Sequence, residues 1–203
     1  MTPEERQRRF GRPDYRTCTS ADCRTAVVIK HMDKQKKLKK KVERAEMKEA
    51  REKLKSVTVL HRELRTVVQK IVRHIDKGLP CICTNQYHEA YDGGHYLAAG
   101  SNPQAQHNAH NIHKCSVLSN QWRSGDERRF RLGLIKRYGE DYFNMVDTFH
   151  QLPHLKMSKD EIRAKKKIAQ AIYLELKEVN FEGHGYYVRY LAREYVNQRI
   201  GIY

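Results

Sequence analysis

Several features that define large classes of proteins are missing from this sequence. It contains no apolar run approaching the roughly 20 residues that a membrane-spanning helix needs, which excludes a transmembrane protein. Its first residues, MTPEERQRRFGRPDYR, have no apolar stretch like that of a secretory signal, so we expect a cytoplasmic protein. Cysteine is scarce, and its five copies are an odd number. In a reducing compartment this argues against a disulfide framework and leaves metal ligation or simple burial as alternatives.

Acidic residues are few relative to basic ones. The 203 residues include 40 Lys and Arg against 24 Asp and Glu, a formal net charge of +16. Such an excess predicts a polyanionic partner, and nucleic acid comes first because Lys and Arg that neutralise phosphates release condensed counterions. An anionic membrane is less favoured, since no basic amphipathic segment carries Trp or Phe on a clean opposite face. A basic surface without a specific partner remains open.

The stretch from residue 34 to residue 77 is predicted to form a long helix, because it contains neither Pro nor Gly. Its basic first half, KQKKLKKKVERAEMKEAREKLK, has few apolar positions and is either a solvated helical arm or a disordered tail. In the second half, apolar residues recur every three or four positions from Val57 to Ile75, which predicts an amphipathic helix that Gly78 and Pro80 end. Residues 1–33, with the isolated pair Cys18 and Cys23, are predicted to be irregular and to bind no metal.

Residues 127–203 are predicted to form a helical C-terminal region. Two short helices are expected before Pro153, and Ser158 with Glu161 forms a capping box that opens a long helix through about Val179. One more short helix is expected after Gly185.

The centre of the chain, residues 78–126, is rich in histidine, asparagine and glycine. Six of the eleven histidines lie between His74 and His113, which indicates a site in this stretch. Short strand-like pieces, QYHEAY and HYLAA, precede a polar loop, and a short helix is expected around Asn120. His95 precedes Asn111 by 16 positions, and Asn111 precedes Asn120 by nine.

This order of residues resembles the HNH, or ββα-metal, nuclease motif, in which two strands and a helix hold one divalent ion beside a histidine. The positions that carry the resemblance are Gly94-His95-Tyr96, Asn111-Ile112, Cys115, Asn120, Arg123 and Gly125. Within HNH proteins the chain is most similar to the phage NinG (Rap) family of recombination nucleases, through LPCIC, DGGHY and NIHK with NQWRSG. The resemblance implies an α+β, mostly helical fold, in which a small ββα-metal core is flanked by a long basic N-terminal helix and by C-terminal helices.

The resemblance also assigns roles to residues. His95 is the expected catalytic base, which phosphodiester hydrolysis needs near neutral pKa, and Asn111 is the structural residue that orients it. Asn120, Asp92 and His113 are the expected ligands of one catalytic Mg²⁺ or Mn²⁺ ion, for which oxygen donors are suited. The expected DNA contacts are Arg123, Lys114, Lys36, Lys37, Lys39, Lys40 and Lys41.

The chain departs from the family at its cysteines. Such nucleases carry two C-x-x-C pairs that bind a structural Zn²⁺, whereas this chain has only Cys81, Cys83 and Cys115 in that region. The expectation is that the zinc site is lost and that packing replaces it. A remodelled site that uses these three cysteines and a nearby histidine remains open.

The predicted function is a metal-dependent endonuclease that cuts branched recombination intermediates, such as Holliday junctions and D-loops. The alternative is a non-catalytic nucleic-acid-binding protein with a decayed HNH core, and a third reading is a basic virion or assembly protein. Branched or duplex DNA is the expected partner, with no membrane. A homodimer and contacts with phage recombination proteins are left open, and the expected location is the cytoplasm of an infected bacterial host.

Overall fold

A computed structural model describes the backbone of residues 21–122 and 126–202, and the side chains of this part from residue 28 onward except that of residue 122. The chain divides into two units, residues 1–55 and residues 56–203. The pair Cys18 and Cys23 and the predicted DNA contact Arg123 lie outside what is described in side-chain detail. Within the described part, no helix combines the length and the apolar character needed to cross a bilayer.

In the described part of the first unit, the chain forms one long helix, α1 (Ala21–Leu54). Its described side chains are almost all exposed, as expected for a helix whose composition is dominated by Lys, Glu and Arg. Lys53 pairs with Glu49 one turn earlier at 2.7 Å, a spacing that lets opposite charges meet on a helix surface. The helix begins well before residue 34, where the prediction had it begin, because Ala21–Asp33 contains no Pro or Gly to interrupt it.

The second unit begins with α2 (Val57–Ile75), which is separate from α1. The break falls at Ser56, whose side chain accepts a hydrogen bond from the Val59 amide at 3.3 Å and so caps a new helix. The predicted single helix over residues 34–77 is therefore two helices. The predicted apolar stripe is present, and its buried members are Leu60, Leu64, Val68, Ile71, Val72 and Ile75.

A small antiparallel sheet follows, formed by β1 (Tyr91–His95) and β2 (Ile112–Ser116). Its register pairs Tyr91 with Ser116 and His95 with Ile112. The predicted strand pieces are displaced, since His95 ends β1 and does not open it. One turn of π-helix, Leu118–Trp122, follows β2 where a short helix was expected.

Four α-helices complete the described part of the second unit: α3 (Glu127–Tyr138), α4 (Glu140–Asp147), α5 (Lys159–Lys177) and α6 (Tyr186–Ile200). The predicted capping box is present, because Ser158 Oγ accepts from the Glu161 amide at 3.2 Å while the Glu161 carboxylate accepts from the Ser158 amide at 2.7 Å. The prediction of a mostly helical protein with a small β element is confirmed.

Two apolar clusters lie on either side of the hairpin. The first packs α2 against α5 and α6, through residues such as Leu64, Ile172 and Val196. The second packs Cys81 and Cys115 against α3 and α4, with Phe130 near its centre. The hairpin is therefore held between helices on both of its faces, which fixes the position of residues at its end.

A buried ion pair ties the end of α2 to α6. Asp76 and Arg193 are both 0% exposed, and Arg193 Nη2 donates to the two Asp76 carboxylate oxygens at 2.8 Å. Burial by itself would raise the pKa of Asp76, but the charge of Arg193, helped by that of Arg137, outweighs burial and lowers that pKa to about 2. The pair stays ionised inside the fold.

Candidate active site at the end of the hairpin

Asn111 joins the two ends of the long loop that connects β1 to β2. Its Oδ1 accepts a hydrogen bond from the Leu97 amide at 2.8 Å, and its Nδ2 donates to the Leu97 carbonyl at 3.0 Å. The same Nδ2 donates to the Ala105 carbonyl at 3.1 Å. Because three backbone groups of the loop depend on one buried side chain, Asn111 determines how the chain leaves His95.

His95 is held at the last position of β1. Its Nε2 lies 3.0 Å from the carbonyl oxygen of Gln106. A carbonyl can only accept, so Nε2 carries the proton and the lone pair of the neutral ring is on Nδ1. Burial, with a smaller effect of the charge of Arg65, lowers the pKa of His95 to about 4, even though the hydrogen bond to Gln106 acts in the opposite direction. At neutral pH the ring is therefore an unprotonated base.

Asp92 and Asn120 are brought together beside the hairpin. Asn120 Nδ2 donates to Asp92 Oδ2 at 3.1 Å, and Gln121 Nε2 donates to the same oxygen at 2.9 Å. Gly94 permits this arrangement, since a Cβ there would lie 2.8 Å from the Cβ of Cys115 and 3.2 Å from Asn120 Oδ1. Asn120 therefore sits directly against the backbone of the residue that precedes His95.

His95 and Asn120 line one cleft of about 440 Å³. Its wall also includes Asn102 and Glu127, which the sequence analysis did not single out. Glu127 opens α3 immediately after a segment of polar residues, and no motif distinguishes it from the other acidic residues of the chain. The cleft thus collects one imidazole, two amides and one carboxylate, which are the groups that phosphate chemistry with a divalent cation uses.

The donor set here fits a hard cation that keeps part of its water shell. Asp92 offers a carboxylate and Asn120 an amide oxygen, both oxygen ligands. Among the described residues, three ligand atoms of His, Cys, Asp or Glu come within 4.8 Å of one another only at Cys81, Cys83 and Cys115. A dense cage of acidic residues is therefore not what the described part of the cleft provides. One or two protein ligands, as Mg²⁺ commonly has, is the arrangement that fits.

His113 and Lys114, two other predicted site residues, are not brought into this cleft. His113 is 0% exposed. Its Nε2 donates to the His110 carbonyl at 3.0 Å, and its Nδ1 accepts from Arg193 Nη2 at 3.1 Å. Lys114 Nζ donates to the Leu79 carbonyl at 2.6 Å and lies 3.8 Å from the centre of the Tyr91 ring. His113 is engaged inside the fold and the half-buried Lys114 contacts groups of the fold itself, because β2 lies between the helices.

The three cysteines of the central region converge in the core. Their sulfur atoms all lie within 4.8 Å of one another, and Cys83 Sγ is 3.5 Å from Cys115 Sγ. The Ser116 amide donates to Cys81 Sγ at 3.2 Å. Hydrogen bonds from Cys115 and Cys83 lower the pKa of the Cys81 thiol, whereas the bonds to Cys81 and Cys83 raise the pKa of Cys115. The sequence predicts that packing replaces a metal ion here, but three converging sulfur atoms are also the arrangement that a metal ion needs.

The described fold and cleft define a class: a basic, mostly helical protein with a two-stranded antiparallel hairpin that carries a histidine at its end. The family described as "Bacteriophage Lambda NinG protein" matches residues 8–180. The chain therefore belongs to the NinG family of bacteriophage lambda. Among curated relatives, the Protein ninG of Escherichia phage lambda is 33% identical over 90 residues, which is 44% of this chain and 44% of that protein. The Protein ninG of Salmonella phage P22 is 32% identical over 91 residues, 44% of this chain and 45% of that protein.

These alignments span less than half the length of the curated relatives. No solved structure is significantly similar to the chain.

Proposed function

We propose that this protein is a metal-dependent DNA endonuclease of the HNH type, which hydrolyses phosphodiester bonds in branched recombination intermediates such as Holliday junctions and D-loops. The observation that carries the proposal is that His95 and Asn120, 25 positions apart in the sequence, line the same cleft. The hydrogen bond from Asn120 to Asp92 adds a carboxylate beside Asn120. The choice of branched DNA rests on the NinG family resemblance.

In this proposal His95 is the general base. Its Nε2 proton is held by the Gln106 carbonyl, so Nδ1 is the atom that takes a proton from the attacking water. The depressed pKa keeps Nδ1 unprotonated at neutral pH. Asn111 contributes by fixing the loop that carries Gln106 and by setting the direction of the chain after His95.

Asp92 and Asn120 are the proposed ligands of the catalytic ion. Asn120 uses its Nδ2 on Asp92, which leaves its Oδ1 on the side of Gly94 as an oxygen donor. A bound Mg²⁺ or Mn²⁺ would polarise the scissile phosphate and stabilise the departing oxygen. His113 and Lys114 are left out of the proposed machinery because their polar atoms are used within the fold.

The basic helix α1 is the proposed nonspecific contact with DNA. Lys36, Lys37 and Lys39–Lys41 are exposed, so their charges are available to backbone phosphates. Arg123 remains a predicted phosphate contact. A homodimer would supply the two symmetric cuts that resolve a four-way junction, and the cytoplasm of an infected host is the place where such DNA occurs.

We also propose that Cys81, Cys83 and Cys115 supply three ligands of a structural Zn²⁺ ion. Three buried sulfur atoms within 4.8 Å of one another fit around one tetrahedral ion, for which thiolates are the preferred ligands. The structure thus favours the remodelled site over the loss of zinc. This ion is separate from the catalytic one, since it uses none of the cleft residues.

Cleavage of a labelled four-way junction with Mg²⁺ or Mn²⁺ tests the proposal. We expect the parent chain to cut the junction at defined positions. The cleavage rate of His95→Ala should be lower by at least about a hundredfold, the usual scale for a missing general base. His154→Ala, which changes an exposed histidine, is the matched control and should cut like the parent. Salt-sensitive binding without any cleavage in either metal would instead support the non-catalytic alternative, and equal binding of linear and branched DNA would favour a general DNA-coating role.

A further inference from the structure

A second, basic groove lies next to the cleft that contains His95. Its volume is about 300 Å³, and it is formed by the first two turns of α2 on one side and the loop around Gly100 on the other. Arg62 and Arg65 line it together with His61 and Thr58. None of the described residues that line it is acidic, so its charge is not compensated from within.

The two arginines are placed to act on one ligand. Arg62 and Arg65 are three positions apart on α2, a spacing that puts side chains on the same face of a helix. The Arg62 side chain is exposed. Arg65 Nη1 donates a long hydrogen bond of 3.5 Å to Gln106 Oε1, at the limit of such contacts, so an anion can replace that oxygen at little cost. The neighbouring acidic residue, Glu63, pairs with Lys166 at 2.6 Å.

One side of the groove is formed by His61, which is backed by the buried His107. His61 Nδ1 lies 2.9 Å from His107 Nε2, and the two rings stack with centroids 5.2 Å apart. Burial and the charge of Arg65 lower the pKa of His61, so the pair is neutral at pH 7. A neutral wall with two guanidinium groups at its mouth suits an anion that carries neutral groups on either side, as a phosphodiester does.

The groove and the cleft share one piece of chain. Ala99 lines both, and Gln106 connects them, since its carbonyl accepts from His95 while its side chain accepts from Arg65. A strand that places one phosphate beside His95 can therefore reach the groove with a phosphate further along.

We propose that Arg62 and Arg65 bind a backbone phosphate of the nucleic acid, on the same strand as the phosphate that lies at His95. This rests on the proposed function for the identity of the ligand, but it does not depend on cleavage. Binding at this groove positions the strand across the loop of residues 98–106 and so determines which phosphate meets the base.

Salt-dependent DNA binding tests this inference without any chemistry. The protein is prepared with His95→Ala and assayed with EDTA on a four-way junction and on a linear duplex, over a range of salt concentrations. Adding Arg62→Gln and Arg65→Gln should weaken binding and make the slope of log affinity against log salt smaller by about 1, the value for one lost phosphate contact. Lys177→Gln, an exposed cation at the end of α5, is the control and should leave the slope unchanged.

The outcomes separate the two proposals. A slope that is the same in the arginine variants and in the control would overturn the groove as a phosphate site, whatever the cleavage assay shows. Binding that depends on the arginines, in a parent chain that never cuts, would support the groove and contradict only the nuclease. Arg62→Gln alone keeps the Arg65 contact with Gln106, so a partial loss of slope in that variant supports direct binding and cannot come from a misfolded loop. No DNA binding by the parent would overturn both.

Discussion

His107 allows a quantitative prediction about the loop behind the candidate site. Its ring is 0% exposed, and its Nε2 contacts His61 at 2.9 Å. Burial above all, together with nearby positive charge such as that of Arg65, lowers the pKa of His107 from 6.5 to about 3. Between pH 6.5 and 3 the unfolded chain therefore binds a proton that the folded chain does not. Stability falls as the pH decreases through that window and is unaffected by His107 above it.

The magnitude follows from the size of the shift. Each pKa unit corresponds to about 1.4 kcal/mol, so lowering the pH from 7 to 5 should remove about 2 kcal/mol of unfolding free energy through His107 alone. That is a large part of the roughly 5–15 kcal/mol typical of a folded domain. Urea unfolding at the two pH values measures it.

The comparison uses His107→Gln, which keeps a polar group near the position of Nε2 but does not titrate. The variant should lose about 2 kcal/mol less than the parent between pH 7 and pH 5. His154→Gln changes an exposed histidine and should lose as much as the parent. An equal loss in the His107 variant and the parent would show that His107 is already protonated, or solvated, in the folded state, and would refute the reasoning.

Three further predictions concern other parts of the molecule. Asp76→Asn should lower the free energy of unfolding by about 3–5 kcal/mol at pH 7, because Arg193 is left buried without its counter-charge; a loss below about 1 kcal/mol in urea unfolding would contradict this. Cys115→Ser should abolish zinc measured by metal analysis of the purified protein, and a chelator should lower the Tm of the parent but not of the variant. The acid limb of kcat/KM for junction cleavage should have an apparent pKa well below 6.5, because the base His95 is desolvated; a limb near 6.5 would point to another base.

The helical part of the fold was accessible from sequence because its signals are local. The apolar stripe lies within a few helical turns, from Leu60 to Ile75, and the capping box lies within one turn, at Ser158 and Glu161. Both are present in the structure. The break at Ser56 was missed because neither Pro nor Gly marks it, although the composition changes there. The cap on the Val59 amide starts the second helix.

The hairpin was less predictable because its partners are far apart in sequence. The order of His95, Asn111 and Asn120 indicated one site, and His95 and Asn120 do line one cleft. The exact strand limits depend on pairing between residues that are about twenty positions apart, such as Asp92 and Cys115. No local pattern encodes that register.

The position of His113 illustrates what spacing cannot provide. Because His113 follows Asn111 by two residues, the sequence analysis expected it to be a metal ligand. In the structure it is enclosed by Arg193 from α6 and by Asp76 from the end of α2. The groove of Arg62 and Arg65 was missed for the same reason, since on the sequence these are two of many cations. Only packing against the loop of residues 98–106 distinguishes them.

Junction cleavage by variants of the cleft tests the central claim most directly. A labelled four-way junction is incubated with Mg²⁺ or Mn²⁺ and with the parent, His95→Ala, Asn120→Ala or His154→Ala. The account predicts cuts by the parent and by His154→Ala, and their loss in both cleft variants while binding to the junction is retained. Equal cleavage by the parent and by His95→Ala in both metals, or none by the parent in either, would contradict it.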